Sequence, residues 1–413
     1  MTPMGLSISW RNIWRNPRRT ILTVTAIAFA GLILVFMLSF QFGSYEMMID
    51  ASVKTVSGHL KITEKAYPED HDMRLVVPDP GAISRKLDTL PHVRHHTLRS
   101  NAFSLVSSRE RTYGIMVMGI DPKAEARISP LKSTIREGDY LGDDQPYGAL
   151  VGEHLARNLK VGVGDEVTLI GQGRDGSVAA AVVTISGIFS SGFDEYDRNV
   201  LMMRRTDFND IFFMGDSVHE IVIIADSLYS VAEVKARIIR MLKEITGDDS
   251  LIVQDWMEMQ PGLLQSIKMD LSSGIIMYVI LIIVVAFSIF NTFLMAILER
   301  TREFGVMMAL GVTPGRLTRL VLLESACMTG MGVLAGIVLG SLITLYFQHH
   351  GIYIGGMEEM MRQYGLPDRL YPRLSVVSAM SGPVLVFVIT LLSAVVPALK
   401  IRRLNPVEAM THV

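Results

Sequence analysis

Charged residues and cysteine are both scarce in this 413-residue sequence. Only 19% of the residues are charged, whereas 49% are hydrophobic, and a soluble chain of this length would normally carry more charge. Cys327 is the only cysteine, so an intrachain disulfide is excluded, and a domain outside the cytoplasm must be held together by packing. The formal net charge is −2, and basic residues do not alternate with aromatic ones. Composition therefore gives no indication of nucleic-acid binding.

Motifs for catalysis, metal binding and nucleotide hydrolysis are also missing. The sequence has no HExxH, GxSxG or EF-hand spacing, the patterns that place zinc ligands, a nucleophilic serine or calcium ligands. The phosphate-binding pattern GxxxxGK[ST] is absent too, because residues 311–318 (GVTPGRLT) lack the lysine. We therefore predict no catalytic residue, no metal and no cofactor in this chain. ATP and Mg²⁺ would be bound by a partner.

A few acidic and histidine clusters have side chains suited to acid–base catalysis or metal binding. None has a recognisable catalytic spacing, so a loop, a solvated edge or an interfacial position is the favoured interpretation of each. They are Asp143 and Asp144; Asp194, Glu195 and Asp197; His95 and His96; and His349 and His350.

What the sequence does contain is four long apolar segments. A bilayer core of about 30 Å is crossed by roughly 20 apolar residues in a helix. Four segments meet this requirement, at residues 20–40, 274–298, 320–347 and 376–399. The first is longer than the apolar part of a signal peptide and lacks a clear cleavage site, so we expect it to be retained. The third carries glycines that allow close helix approach, at positions 330, 332, 336 and 340.

Basic residues near the span ends predict the orientation. Arginines precede the first span, separate the second from the third, and follow the fourth with a lysine. Because such residues favour the cytoplasmic side, we expect residues 1–19, 299–319 and 400–413 to be cytoplasmic. Residues 41–273 and the loop 348–375 would then lie outside.

The large segment between the first two spans has the composition of a soluble α+β domain. Alternating or apolar runs predict strands at 58–63, 115–120, 220–225 and 251–253, and periodic segments predict helices at 80–90 and 231–245. A glycine-rich middle part with short β runs, about residues 123–217, is predicted to form an inserted, mostly β lobe.

The segment after the second span is predicted to form a short amphipathic helix at the membrane base. Alternating charges from Glu299 precede apolar residues at helical spacing. Gly311 suits its C-terminal end, and Thr313 with Pro314 suits the start of the next helix. Periodicity alone leaves two roles open: docking into a partner's groove, or anchoring the loop at the interface.

Glu324 is an acidic residue inside the third span. An ionisable residue at this position is a functional candidate. It lies about one turn from the cytoplasmic end, so it can also reach the interface or pair with a basic residue such as Arg319. We favour the structural role.

Several motifs resemble the FtsX-like permease superfamily, which includes the MacB-type and lipoprotein-releasing (Lol-type) permeases. They are residues 10–20 before the first span, 299–311, Glu324–Ser325, and 397–409 after the fourth span. Residues 10–20 look like the pre-span amphipathic helix of that superfamily, so the resemblance implies an amphipathic N-terminal helix within residues 1–19. Within that superfamily, four short motifs look most like Lol-type permeases: residues 57–60, 152–156, 163–165 and 255–256. The resemblance covers essentially the whole chain.

The resemblance implies an inner-membrane protein with a MacB-like periplasmic core and cytoplasmic termini. It implies an assembly of two permeases, the second being a copy or a paralogue, with an ABC ATPase dimer. It also implies that ATP-driven motion reshapes the periplasmic domain and releases lipoproteins to a periplasmic carrier. The residues that would contact the ATPase are Glu299, Arg300, Arg302, Glu303, Phe304, Met307 and Leu310.

One departure from the Lol-type pattern concerns the carrier. Permeases that recruit it use a long, proline-bearing hairpin, whereas the matching turn at 171–176 is short and has no proline. This argues against carrier docking by this chain. Export of peptides or small toxins in the MacB manner, and signalling to a cell-wall hydrolase, stay open as alternatives.

Lipid release requires apolar surface near the outer leaflet. Moving acyl chains into water costs about 0.8 kcal/mol per CH₂, so three long chains cost tens of kcal/mol. We hypothesise a lipid cavity at the dimer interface, with plain dimer packing as the alternative. Its residues would be Phe36, Met37, Phe40, Phe42, Met47, Met48, Leu263, Leu264, Ile267, Met269 and Met277.

Overall fold

The computed structural model describes residues 9–53, 57–143, 145–247, 249–356, 361 and 369–401. The expected structures of residues 1–8 and 402–413, of Asp144 and of most of the loop at 357–368 lie outside these residues. The chain divides into two compact units. The first comprises described residues of Met1–Glu46, Ser266–Ile354 and Arg369–Val413, and the second those of Met47–Gln265 and Gly355–Asp368.

In the described part of the chain, four helices are long and apolar enough to cross a membrane: Pro17–Ser52, Pro261–Glu299, Pro314–His350 and Val376–Lys400. We call them the first to fourth long helices. The first three have 36, 39 and 37 residues, and at about 1.5 Å per residue each exceeds the thickness of the bilayer core. They are longer than the apolar segments because hydropathy detects only the apolar part of a helix. Before the first long helix, residues 9–13 form a short helix followed by a turn, so the predicted N-terminal helix does not reach residue 19.

Glycines of the third long helix contact the first one closely. A Cβ added at Gly336 would lie 2.7 Å from the Ala28 carbonyl oxygen, and one at Gly340 would lie 3.1 Å from the Leu32 Cα. Gly332 faces Ile27 in the same way, whereas Gly330 has open space. The predicted close approach is therefore confirmed for three of the four glycines. Side chains from all four long helices, among them Leu34, Ile289, Val333 and Val386, form one apolar core.

The described residues of the second unit are built on one mixed sheet of ten strands. The strands are β1 Leu60–Glu64, β2 Val93–Ser107, β3 Thr112–Ile120, β4 Ile135–Gly138, β5 Gly148–Gly152, β6 Glu166–Gln172, β7 Val178–Phe189, β8 Val200–Arg204, β9 Glu220–Ala225 and β10 Leu251–Asp255. Their order is β10-β1-β9-β2-β3-β8-β5-β7-β4, and β6 pairs with β2 and β7. The predicted fold class is confirmed.

Helices of the second unit pack on this sheet. They are Tyr67–Asp70, Pro80–Leu87, Pro122–Ile128, Glu153–Leu159, Asp194–Asn199, Arg205–Phe212, Val231–Thr246 and Trp256–Met259, with 3₁₀ turns at Pro130–Thr134 and Leu228–Ser230. The start of Pro80–Leu87 is fixed by Asp79, whose side chain accepts a hydrogen bond from the Ala82 amide.

The predicted β insertion at 123–217 shares this sheet. Strand β2 has 15 residues; its first half pairs with β9 and its last four residues pair with β6. The parallel pairing of β3 with β8 makes a second connection. The insertion and the flanking segments therefore form one continuous sheet, because β2 and β3 each pair with a strand of the insertion and with a strand of the flanking segments.

Candidate functional site

The segment between the second and third long helices forms a short helix, Thr301–Ala309, which we call the connector helix. The second long helix ends at Glu299, and Arg300 adopts a non-helical backbone before the connector helix begins. Gly311 ends it with a φ of 94°, a conformation that glycine adopts without steric cost. Thr313 is extended and precedes Pro314, the first residue of the third long helix. These boundaries confirm the predictions for Gly311, Thr313 and Pro314.

The connector helix has a buried face and an exposed face. Phe304 is fully buried among Ile297 of the second long helix, Leu317 and Val321 of the third, and Ala398 near the end of the fourth. The exposed face carries Arg302, Val306 and Leu310; the Leu310 side chain is 80% exposed. Met307 is partly buried. The predicted ATPase-contact residues therefore divide into one group that packs inside the chain and another that is available to a partner.

Glu324 lies at the centre of a hydrogen-bond network on the buried side. One carboxylate oxygen accepts a bond from Arg300 Nη1 at 2.8 Å, and the other accepts one from Asn12 Nδ2 at 2.7 Å. The Arg300 and Glu324 side chains are only 13% and 9% exposed. Arg300 also stacks on the Phe304 ring, 5.3 Å from its centroid. The partner of Glu324 is thus Arg300 and not Arg319, which is exposed.

Two further ion pairs connect the connector region to the start of the first long helix and to the segment before it. Arg15 pairs with Glu303, and Arg19 pairs with Glu299 at 3.1 Å. Glu303 also accepts a bond from Arg300 at 3.2 Å. Burial raises the pKa of Glu303, but the bonds and charges of Arg15 and Arg300 outweigh this effect and leave the pKa below its ordinary value. Residues from three separate segments therefore form one charged cluster, which we call the base network.

Local sequence patterns do not indicate that Asn12, Arg15 and Arg19 belong to this network. The two arginines indicate orientation, and all three residues lie in the segment 10–20 that resembles the superfamily, but no pattern there identifies their partners. Asn12 is 312 positions from Glu324 in sequence, so local patterns carry no information about this contact.

The predicted lipid-contact residues differ in their exposure. Phe42, Met269 and Met277 are exposed. Ile267 is only 8% exposed, so little of its side chain is available to a lipid. The remaining members are partly buried: Phe36, Met37, Phe40, Met47, Met48, Leu263 and Leu264.

Acidic candidates in the second unit have structural partners. Asp197 is buried and accepts bonds from the Ser191 amide at 2.9 Å and from its hydroxyl at 2.5 Å. Burial raises the pKa of Asp197, whereas these bonds lower it. Asp194 contacts His154 at 3.2 Å, and Asp143 contacts Lys123 at 2.9 Å. Glu195 lies in the same helix, Asp194–Asn199.

The predicted histidine pairs are likewise bound locally. His96 lies 3.5 Å from Asp88, and His95 is partly buried beside it on β2. The ring nitrogens of His349 and His350 contact backbone carbonyls one turn earlier in their own helix, at 2.9 Å. Among the residues that the structure describes, no group of three or more His, Cys, Asp or Glu side chains could hold a metal ion.

His219 is a buried histidine that belongs to none of the sequence motifs. Its Nδ1 accepts a bond from the Asn101 amide at 3.0 Å, and its Nε2 contacts the Met73 carbonyl oxygen at 3.2 Å. Its ring stacks on Tyr67, with centroids 5.0 Å apart. Both bonds form together only in the neutral tautomer with the proton on Nε2. Burial lowers the pKa of His219 to about 4, although Glu220 and Asp72 favour its charged form.

We expect the second unit to lose stability in mild acid because of His219. The pKa of His219 is near 6.5 in the unfolded chain and near 4 in the folded chain. At a pH between these two values, His219 binds a proton in the unfolded chain but not in the folded chain. Stability therefore falls as the pH falls through this window, by at most about 3 kcal/mol. Hydrogen exchange of the full-length protein in detergent would measure the trend for β2 and β9. His219→Gln should flatten it, and an unchanged slope would contradict the assignment.

Family comparisons match almost the entire chain. A model of the MacB-like periplasmic core domain matches residues 20–241, more than half of the chain. A model of the FtsX-like permease C-terminal region matches residues 275–406, which include the connector helix and Glu324.

Curated proteins of similar sequence are named as membrane proteins of a lipoprotein-releasing system or as ABC transporter permeases. The lipoprotein-releasing system transmembrane protein LolC of Xylella fastidiosa (strain Temecula1) is 23% identical, over 99% of each chain. LolE of Haemophilus influenzae, a protein of the same system, is 20% identical over 80% of each chain. An uncharacterized ABC transporter permease of Methanocaldococcus jannaschii is 20% identical over 82% of this chain and 83% of its own.

Proposed function

The chain belongs to the family of FtsX-like permeases with a MacB-like periplasmic core domain, and from this premise we propose that it releases lipidated proteins from the outer leaflet of the inner membrane. In this proposal it is the permease subunit of an ABC transporter and works with a separate ATPase dimer, which binds ATP and Mg²⁺. A second permease, either a copy or a paralogue, completes the assembly. The base network and both termini face the cytoplasm.

The observation that carries the mechanical part of the proposal is the construction of the connector helix. Its exposed face offers Leu310, Val306 and Arg302 to an ATPase, while its buried face is fixed to the long helices by Phe304 and by the Arg300–Glu324 pair. A push on the exposed face therefore moves the ends of the second and third long helices together. Such a rigid connection is suited to transmitting motion into the membrane.

The second long helix supplies apolar surface for the lipid part of the proposal. In its most apolar window only 11% of the residues are buried, against 33–39% in the other three long helices. Met277, Ile276 and Ile280 are 47–63% exposed. Because each buried CH₂ of an acyl chain is worth about 0.8 kcal/mol, a lipoprotein leaving the leaflet needs a surface of this kind. A second permease can also cover part of it.

Release to a soluble carrier would involve the second unit. The β6–β7 hairpin closes through a turn of five residues, 173–177, in which Gly176 has a positive φ. This compact turn favours carrier recruitment by another chain of the assembly. The proposal for this chain therefore ends at extraction of the lipidated substrate.

Site-specific crosslinking tests the proposal directly. A photoreactive amino acid replaces Met277, and a matched control replaces Leu339 on the third long helix; both side chains are 47% exposed. The complex with its ATPase is reconstituted with a triacylated lipoprotein. We expect a lipoprotein adduct at position 277 that disappears on ATP hydrolysis, and little adduct at 339.

The outcome also separates the alternative functions. Equal adducts at both positions would mean passive contact with membrane-embedded substrate and would contradict extraction. An unlipidated peptide that competes at position 277 would favour peptide export. A complex whose ATPase activity ignores both substrates would favour signalling to a periplasmic enzyme.

A further inference from the structure

Four arginines lie just before the first apolar span, two of them ahead of the first long helix and two in its first turn. Arg15 and Arg19 pair with Glu303 and Glu299 in the base network. Arg11 and Arg18 are exposed, and neither has an acidic partner among the residues that the structure describes. Two positive charges are thus left at the surface although acidic side chains are close by in the same unit.

Two tryptophans lie beside these free arginines. Trp10 and Trp14 are each 49% exposed, and their rings meet edge to face with centroids 6.1 Å apart. Ile13, between them in sequence, is only 4% exposed and packs into the core of the long helices. The segment is therefore held against the helix bundle while both indole rings remain outside it.

The position of this segment next to the first apolar span indicates the depth in the bilayer at which the two tryptophans and the two arginines lie. The first long helix begins at Pro17 and its apolar part at residue 20, so residues 10–18 precede the apolar span directly. Tryptophan favours the boundary between acyl chains and headgroups, because its ring is apolar and its N–H can donate to a polar group. Guanidinium groups at that boundary meet lipid phosphates, which they bind in a bidentate manner.

We propose that Arg11, Arg18, Trp10 and Trp14 form a binding surface for anionic phospholipid headgroups. Charge complementarity identifies the bound lipid. The two arginines give the surface a net positive charge, which an anionic headgroup neutralises and a zwitterionic headgroup does not. The inference goes beyond the proposed function, since it depends neither on the cargo nor on the ATPase. Because Asn12 and Arg15 of the same segment bind Glu324 and Glu303, a bound anionic lipid fixes the base network at the membrane surface.

Tryptophan quenching by brominated lipids tests this surface. The sequence contains three tryptophans, so Trp256→Phe leaves only Trp10 and Trp14 as emitters in the full-length protein. The protein is placed in phosphatidylcholine nanodiscs with equal small amounts of brominated phosphatidylglycerol or brominated phosphatidylcholine. Each arginine that attracts an anionic lipid should raise the local concentration of that lipid roughly fivefold. Brominated phosphatidylglycerol should therefore give the same quenching at a correspondingly lower mole fraction than brominated phosphatidylcholine. Added salt should reduce the difference.

Matched variants decide whether the two free arginines are responsible. Arg11→Gln with Arg18→Gln should abolish the preference for phosphatidylglycerol, whereas Arg15→Gln, which removes a paired arginine of the same segment, should retain it. Equal quenching by both lipids in the parent protein, or an equal loss of preference in Arg15→Gln, would overturn the proposal. Absence of quenching by either lipid would also overturn it and would point to an acidic protein surface instead. If Trp256→Phe does not fold, the difference between wild type and Trp10→Phe/Trp14→Phe gives the same signal.

Discussion

Replacing Glu324 with leucine is expected to destabilise the first unit by about 3 kcal/mol, because the Arg300 guanidinium loses its buried counter-ion. Arg300 is 13% exposed and has the partly exposed Glu303 as its other acidic partner. Asn12 would lose its acceptor at the same time. Thermal unfolding of the full-length protein in detergent measures the loss. ATP hydrolysis by the reconstituted complex should lose its response to substrate.

A double replacement provides the control for this prediction. Arg300→Leu combined with Glu324→Leu removes both charges, so it should recover much of the stability lost in the single variant, since the penalty arises from the unpaired charge. Arg319→Gln changes an exposed arginine near the same end of the third long helix and should stay within about 0.5 kcal/mol of wild type. A double variant as unstable as the single one would show that Glu324 acts through packing and not through its charge.

Local sequence patterns identified the membrane spans and the bends between them. A bilayer requires long apolar helices, and Gly311 and Pro314 mark the ends of helices through their own backbone preferences. These features depend on a few neighbouring residues. For this reason the local sequence is sufficient to predict the connector helix.

The contacts of the base network could not be predicted in the same way. Arg319 is five positions before Glu324, and at about 100° per residue this places the two side chains about 140° apart around the helix. Arg300 reaches Glu324 only because the chain reverses direction at Gly311 and Thr313. The contact with Asn12 depends on how the first and third long helices pack, and Gly332, Gly336 and Gly340 all take part in this close packing.

The continuous sheet of the second unit was missed for a related reason. Apolar runs predict strands close to β1, β3, β9 and β10 but not the long strand β2, and the pairing of β2 with both β9 and β6 depends on register over long sequence separations. Alternation of apolar residues defines which face of a strand is buried and does not identify its neighbours. The middle part of the domain was therefore interpreted as a separate lobe.

Leu310 and Phe304 of the connector helix should respond to mutation in opposite ways. Leu310→Asp is expected to leave the fold intact, since the side chain is 80% exposed, and to weaken binding of the ATPase subunit at least about tenfold, as for the loss of an apolar residue central to an interface. Phe304→Ala should instead destabilise the first unit by about 3–5 kcal/mol, because Phe304 is fully buried. Titration of the ATPase subunit against the permease in nanodiscs, together with thermal unfolding, separates the two effects.

The control for Leu310→Asp introduces an aspartate at an equally exposed residue of the second unit. Tyr229 is also 80% exposed, so Tyr229→Asp adds the same negative charge without touching the connector helix and should leave ATPase binding unchanged. Normal ATPase binding by Leu310→Asp would mean that the exposed face of the connector helix is not the docking surface. The fixed position of Phe304 would then serve only to anchor the loop at the membrane, which is the other role that the sequence pattern left open.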